Sequence, residues 1–222
     1  MKVGVIDSGV EVAFLREHGL HLAGGASFTL DVDAGELETC VYEPEELEAW
    51  RRGGPALALE DTHGHGTAVL SLLYAAVEPW PPDVALYVAR IFGEQVRASS
   101  VCLLEALRWM LDEVGVELLN LSLGTFEFAL EAPLREVLER AVARGAVIVC
   151  AAGAEPTLPA CLESVVAVGD TALLEHVEAQ VRLDHVVRER TARVYGGGTW
   201  REVPMTTSFA CAVVAGGLLR QG

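Results

Sequence analysis

Three short stretches hold residues whose chemistries complement one another. Val5-Ile6-Asp7-Ser8-Gly9 ends an apolar run in a carboxylate, Asp61-Thr62-His63-Gly64-His65-Gly66-Thr67 carries two imidazoles, and Thr207-Ser208-Phe209-Ala210 opens a run of small residues. A serine hydroxyl is a weak nucleophile until an imidazole takes its proton, and that imidazole must be held in one tautomer by a carboxylate. A serine in the first turn of a helix also lies beside backbone N–H groups that lack an intrahelical partner and can receive a developing oxyanion. Asp7, His65 and Ser208 are therefore a candidate set for acyl transfer, with Ser208 as nucleophile, His65 as general base and Asp7 as its orienting carboxylate. Each has a plainer reading when isolated: D-S-G is an ordinary turn and a helix-opening serine an ordinary cap. Asp61, His63 and His65 have a D-x-H-x-H spacing open to a metal, but no further ligand cluster follows at a matching spacing. No metal and no cofactor is expected, and His63 reads as a neighbour in the turn.

These residues need elements to position them. Lys2 to Ile6 reads as a strand leading into the Asp7 turn, and Gly66 to Ala76 as a buried helix of small apolar residues closed by Trp80-Pro81-Pro82. Val84 to Phe92 reads as a strand. Ser99-Ser100 caps a helix with Leu103, Leu104, Leu107, Met110, Leu111 and Val114 on one face, ending at Gly115. Val116 to Leu121 is the next strand, and Pro133 to Gly145 bounds another helix. Val147 to Ala151 and Val165 to Val168 are further apolar strands, and Gly196-Gly197-Gly198 marks a hairpin turn. Residues 20 to 60 are the least regular and are expected to form a surface excursion with a hairpin. His18 and His21 read as exposed. Apolar strands alternating with helices predict a single α/β domain over residues 1–222, with a mainly parallel sheet covered on both faces. In such sheets binding sites gather at the carboxyl ends of the strands, where Asp7, Ser122-Leu123-Gly124 and Gly153-Ala154-Glu155 fall.

Composition narrows the function. The chain has 222 residues, with 32 Asp and Glu against 16 Lys and Arg, for a formal net charge of −16. A surface so negative repels phosphate backbones and anionic headgroups, so neither nucleic acid nor membrane is expected as a partner. A mean hydropathy of +0.34 excludes intrinsic disorder. The five cysteines form neither a disulfide framework nor a zinc ribbon. With no apolar run long enough to span a bilayer and no secretory leader, the expected location is cytoplasmic, with Cys150 and Cys211 as small core residues.

Taken together, the motifs resemble the subtilisin-like serine proteases (subtilases) over nearly the whole chain. Asp7-Ser8-Gly9 looks like the aspartate box and Gly64-His65-Gly66-Thr67 like the histidine box. Leu119 to Gly124 is similar to the segment lining one side of the substrate cleft, and Ala151 to Glu155 to the oxyanion segment followed by the strand Val165 to Gly169. Thr207-Ser208-Phe209-Ala210 with Val214-Ala215-Gly216 resembles the serine box. The resemblance implies a three-layer fold, truncated at both ends. It also implies a peptide or protein substrate lying extended beside Ser122, Leu123 and Gly124 and, opposite, Ser99 and Ser100.

The departures point elsewhere. Ala154 stands where the family has an asparagine whose amide completes the oxyanion hole, and losing such a donor costs about 10²–10³ in kcat. The Ser208 N–H would supply half of that hole, and the rest must come from Thr207, Thr206, water or a partner subunit, or be missing. Thr206 replaces a glycine and Ala212 a proline. Against the family's pattern the fold is expected to be short of helices at both ends, so a homodimer or partner protein is expected to cover apolar surface. Two functions follow: a cytoplasmic serine endopeptidase, slow and dedicated to a precursor such as a ribosomally made peptide, or a degenerate scaffold that binds and presents a peptide without cleaving it.

Overall fold

The computed structural model describes residues 1–31, 34–93, 98–178 and 180–221. Its centre is an eight-stranded sheet ordered β3-β2-β4-β1-β5-β6-β7-β8. These strands are β1 (Lys2–Asp7), β2 (Leu22–Asp31), β3 (Glu36–Tyr42), β4 (Ala85–Arg90), β5 (Leu118–Leu121), β6 (Val147–Ala151), β7 (Val166–Asp170) and β8 (His185–Val187). All neighbouring pairs are parallel except β2 with β3, an antiparallel edge hairpin. A second hairpin, β9 (Thr191–Gly196) with β10 (Thr199–Pro204), turns at Gly197 and Gly198, whose φ values of 62° and 76° favour glycine.

Helices cover both faces, as the apolar strands require. Helices α1 (Val12–Glu17), α2 (Pro44–Arg51), α3 (His65–Val77) and α7 (Thr207–Leu219) join one core with Val3, Val5 and Leu118. Helices α4 (Ser100–Arg108) and α5 (Glu131–Ala143) form the other with Ile6, Leu119 and Leu121. Each fully buried aliphatic side chain in these layers stabilises by about 1.5–3 kcal/mol. Because strand side chains alternate, Asn120 shares the face of Leu118 and is directed at α7. The short α6 (Thr171–Leu174) follows β7, capped by Asp170, which accepts from Leu173 N.

Two glycines decide how the layers meet. A Cβ on Gly66 would lie 2.3 Å from Gly9 O and 3.2 Å from Asp7 Cβ, so only glycine lets α3 rest on the turn after β1. A Cβ on Gly216 would lie 2.7 Å from that of Ala76, so α3 and α7 pack backbone to backbone there. Both helices begin at the carboxyl end of the sheet, where His65 and Ser208 occupy their first turns.

Three sequence expectations are corrected. Residues 20 to 60 contain the expected hairpin, β2 with β3, but are no surface excursion: β2 pairs with β4 inside the sheet and α2 packs over it. The glycines that disguise β2 as a loop serve packing, since a Cβ on Gly24 would strike Tyr87 at 2.8 Å and one on Gly25 Leu59 at 2.3 Å. His18 is not exposed but half-buried, its ring 4.4 Å from Phe14 and 4.8 Å from Tyr74, with Nδ1 bonded to Phe14 O. The helix from Ser100 also does not stay α-helical to Gly115, because Trp109–Val114 form a wider π-helical turn.

Candidate active site

The junction of β1 with α3 is built around two buried carboxylates. Asp7, fully buried at the end of β1, accepts from Ser8 N at 2.8 Å through Oδ1, which also meets His65 Nδ1 at 2.7 Å. An ionised carboxylate there requires the proton on Nδ1, which leaves Nε2 of a neutral ring free to accept. Asp7 Oδ2 is buried with no hydrogen-bond partner among the described residues, so the imidazole is the principal counterpart of this charge. Burial alone would lower the His65 pKa, but the bond to Asp7 and the charges of Asp7 and Asp61 outweigh it and leave the pKa raised.

Asp61, which the sequence reading weighed only as a metal ligand, is the cap that holds this junction. Its Oδ1 accepts from Ser8 Oγ, His63 N and Gly64 N, and its Oδ2 from Thr67 N and Thr67 Oγ1, all between 2.7 and 3.0 Å. Ser8 Oγ in turn accepts from Gly66 N at 2.8 Å. Asp61, at Gly64 N and Thr67 N, and Ser8 Oγ, at Gly66 N, thereby share the N–H groups around the opening of α3 and tie them to the turn carrying Asp7. Among the described residues no group of three or more His, Cys, Asp or Glu has the arrangement of a metal site.

Ser208 sits second in α7. The helix cap is Thr206, whose side chain accepts from Phe209 N, so Ser208 is not the capping residue and its own N–H lies in the first turn, where helix geometry provides no partner. Its hydroxyl donates to Ser122 O at 3.0 Å, while Ser122 Oγ donates to Ser208 O at 2.8 Å. Asn120 Nδ2 donates to Ser122 Oγ at 2.9 Å, and Cys211 Sγ lies 3.3 Å from Asn120 Oδ1. This relay of buried groups pins the start of α7 to the end of β5. Burial pushes the Cys211 thiol up to about 12 and the Cys150 thiol well above its ordinary range, so both stay protonated.

The ring of Phe209 lies 6.0 Å from that of His65 at 21°, which places the openings of α3 and α7 side by side. Among the described residues no hydrogen bond joins Ser208 Oγ to His65; the hydroxyl is directed at Ser122 O instead. Such bonds are commonly long before substrate arrives.

The expected substrate segments also meet. Ser99 caps α4 through Val101 N, and the buried Ser100 hydroxyl shares a 2.8 Å hydrogen bond with Thr125 Oγ1, just beyond Ser122-Leu123-Gly124. Thr207 is half-buried beside Ser208, whereas Ala154 is exposed on the loop after β6, its carbonyl accepting from Glu178 N at 2.9 Å. The sequence reading missed Asp61 as a cap, Ser8 as its bridge and Asn120 as the clasp on α7. The one available signal was that Asn120 is the sole asparagine, placed inside an apolar strand.

A sequence model described as the subtilase family matches residues 1–220. The fold is similar to a solved structure described as a cold adapted subtilisin-like serine proteinase, with a TM-score of 0.65 and 19% identity over 99% of this chain and 75% of that one. At that identity the likeness is one of fold. No curated protein matches the chain by sequence.

Proposed function

The chain belongs to the subtilase family, and on that premise we propose that it is a serine endopeptidase in which Ser208 attacks, His65 is base and then acid, and Asp7 orients the ring. The observation carrying this reading is the 2.7 Å bond from His65 Nδ1 to the buried Asp7, which leaves Nε2 free beside the opening of α7. Ser208 Oγ would leave Ser122 O, pass its proton to Nε2 and add to a peptide carbonyl, forming the tetrahedral intermediate. The Ser208 N–H would bind the oxyanion. The imidazolium then returns the proton to the leaving amine, and water, activated by the same ring, releases the acid. An extended peptide beside Ser122-Leu123-Gly124 and Ser99-Ser100 would supply the carbonyl.

Ala154 offers the oxyanion no side-chain donor, which favours slow processing of one dedicated precursor over general turnover. A cytoplasmic site of action fits the free cysteines, and no described helix is long and apolar enough to cross a membrane. Exposed Phe126 and Phe128, at 64% and 45%, are apolar surface for a second copy or a partner protein to cover. The acidic surface argues against nucleic acid and anionic membranes as partners. A second reading, a peptide-binding scaffold that does not cleave, is favoured by the Ser208 hydroxyl being engaged with Ser122 O.

Covalent labelling by a fluorophosphonate, read by intact mass with a Ser208→Ala control, separates the two. Stoichiometric labelling lost in the control is the expected result; folded protein that stays unlabelled would move the assignment to the scaffold. In a labelled enzyme, Ala154→Asn should raise the rate of peptide cleavage by tens-fold or more, approaching the effect of about 10²–10³ for one oxyanion donor.

A further inference from the structure

Beside Ser208, the chain segments leaving β5 and β6 do not diverge to open a crevice. They are stitched together farther out, where Thr125 N donates to Leu158 O at 2.8 Å and Leu158 N to Thr125 O at 2.9 Å. The gap between them is filled by Thr157, only 7% exposed. A Cβ on Gly124 would lie 3.2 Å from both Cβ and Oγ1 of Thr157, and a Cβ on Gly153 would lie 3.0 Å from its Cγ2. Thr157 Oγ1 is buried without a partner among the described residues, although a buried hydroxyl ordinarily finds one.

We propose that Thr157 is a specificity-determining residue that restricts the peptide residue donating its carbonyl to Ser208 to glycine, with alanine as the upper limit. The inference rests on the endopeptidase reading. Ser208 is bonded to Ser122 at the foot of the β5 extension, so a carbonyl brought to its hydroxyl lies at the mouth of this gap. The adjoining side chain on the acyl side must then enter a space Thr157 already occupies. A larger side chain would have to separate two segments held by a pair of backbone hydrogen bonds. The unpartnered Thr157 hydroxyl faces the same space, where a peptide backbone drawn close by a glycine would give it an acceptor.

The test compares labelling rates of the intact protein with diphenyl α-aminoalkylphosphonates that mimic glycine, alanine, valine and phenylalanine. An alkyl fluorophosphonate, which carries no such side chain, serves as the reactivity control. The expected result is fluorophosphonate labelling together with at least a 100-fold preference for the glycine or alanine analogue over the phenylalanine analogue. Thr157→Gly should raise the phenylalanine-to-glycine rate ratio at least tenfold, and a ratio is insensitive to general loss of reactivity. Should that variant fail to fold, Thr157→Ser removes only Cγ2 and should raise the alanine-to-glycine ratio. Fluorophosphonate labelling without side-chain preference, or ratios that neither variant moves, overturns this inference and leaves the endopeptidase reading standing. Silence from every probe removes both.

Discussion

Gly66→Ala perturbs the contact that sets the geometry between Asp7 and His65. The added Cβ would be 2.3 Å from Gly9 O. Non-bonded contacts to carbon settle near about 3.5 Å, so α3 must draw back from the β1 turn by about 1 Å. His65 is the residue before Gly66 and travels with it, stretching its 2.7 Å bond to Asp7 beyond hydrogen-bonding range. Overpacking of this kind costs about 1–3 kcal/mol, and a misplacement of about 1 Å in a reacting group costs about 10²-fold in rate. The variant should therefore unfold at lower urea and react with fluorophosphonate about 10²-fold more slowly. It should also lose the raised His65 pKa, because burial, which acts to lower it, then dominates. Fluorophosphonate kinetics and an NMR titration of the His65 ring protons measure the two independently. A folded Gly66→Ala protein with wild-type labelling and an unshifted His65 would refute the claim that close approach of α3 to the Asp7 turn sets the pair.

Because the base must be neutral, labelling should fall with acidity at a midpoint above the ordinary histidine value, the folded pKa being raised. Stability runs the other way. The Asp7–His65 ion pair stabilises fully below the unfolded histidine pKa and is lost as pH rises through the higher folded value. Urea unfolding and labelling rate across that window should thus trend oppositely, and a labelling midpoint below the ordinary histidine value contradicts this. Asp61→Asn turns an amide toward backbone and hydroxyl donors, removing two charge-assisted hydrogen bonds at about 1.5–3 kcal/mol each; a stability loss under about 1 kcal/mol would show the cap to be dispensable. On α7, a Cβ on Gly217 meets nothing within 4 Å while one on Gly216 meets Ala76. Gly217→Ala should therefore stabilise by about 0.5–1 kcal/mol, and Gly216→Ala should destabilise by about 1–3 kcal/mol. Thermal unfolding of the pair checks the sign of each.

Much of the architecture is local and was legible. The run into Asp7, the Ser99 cap, Gly115 and Gly145 as helix stops, and the turn at Gly197-Gly198 depend on neighbours in sequence. Five strands of the parallel sheet, β1, β4, β5, β6 and β7, follow from apolar runs alternating with helical spacing, whereas β2 and β8 do not. Asp7, His65 and Ser208 were picked out because their chemistry is recognisable in short motifs. The remainder depends on residues far apart in the chain. Gly24 and Gly25 resemble loop residues until Tyr87 and Leu59 are seen against them. Asp61 is merely one more acidic residue until folding sets Ser8 and Thr67 around it. The same holds for Asn120, which meets Cys211 only because α7 crosses the end of β5. Sequence determines which groups exist and which local turns they favour. Distances of a few ångströms between remote segments decide whether Ser208 bonds to Ser122, whether His65 is held by Asp7, and whether Thr157 closes the gap beside them. Those distances are set by packing of the whole sheet and its two helical layers, because close-packed interiors leave each contact little freedom to adjust alone.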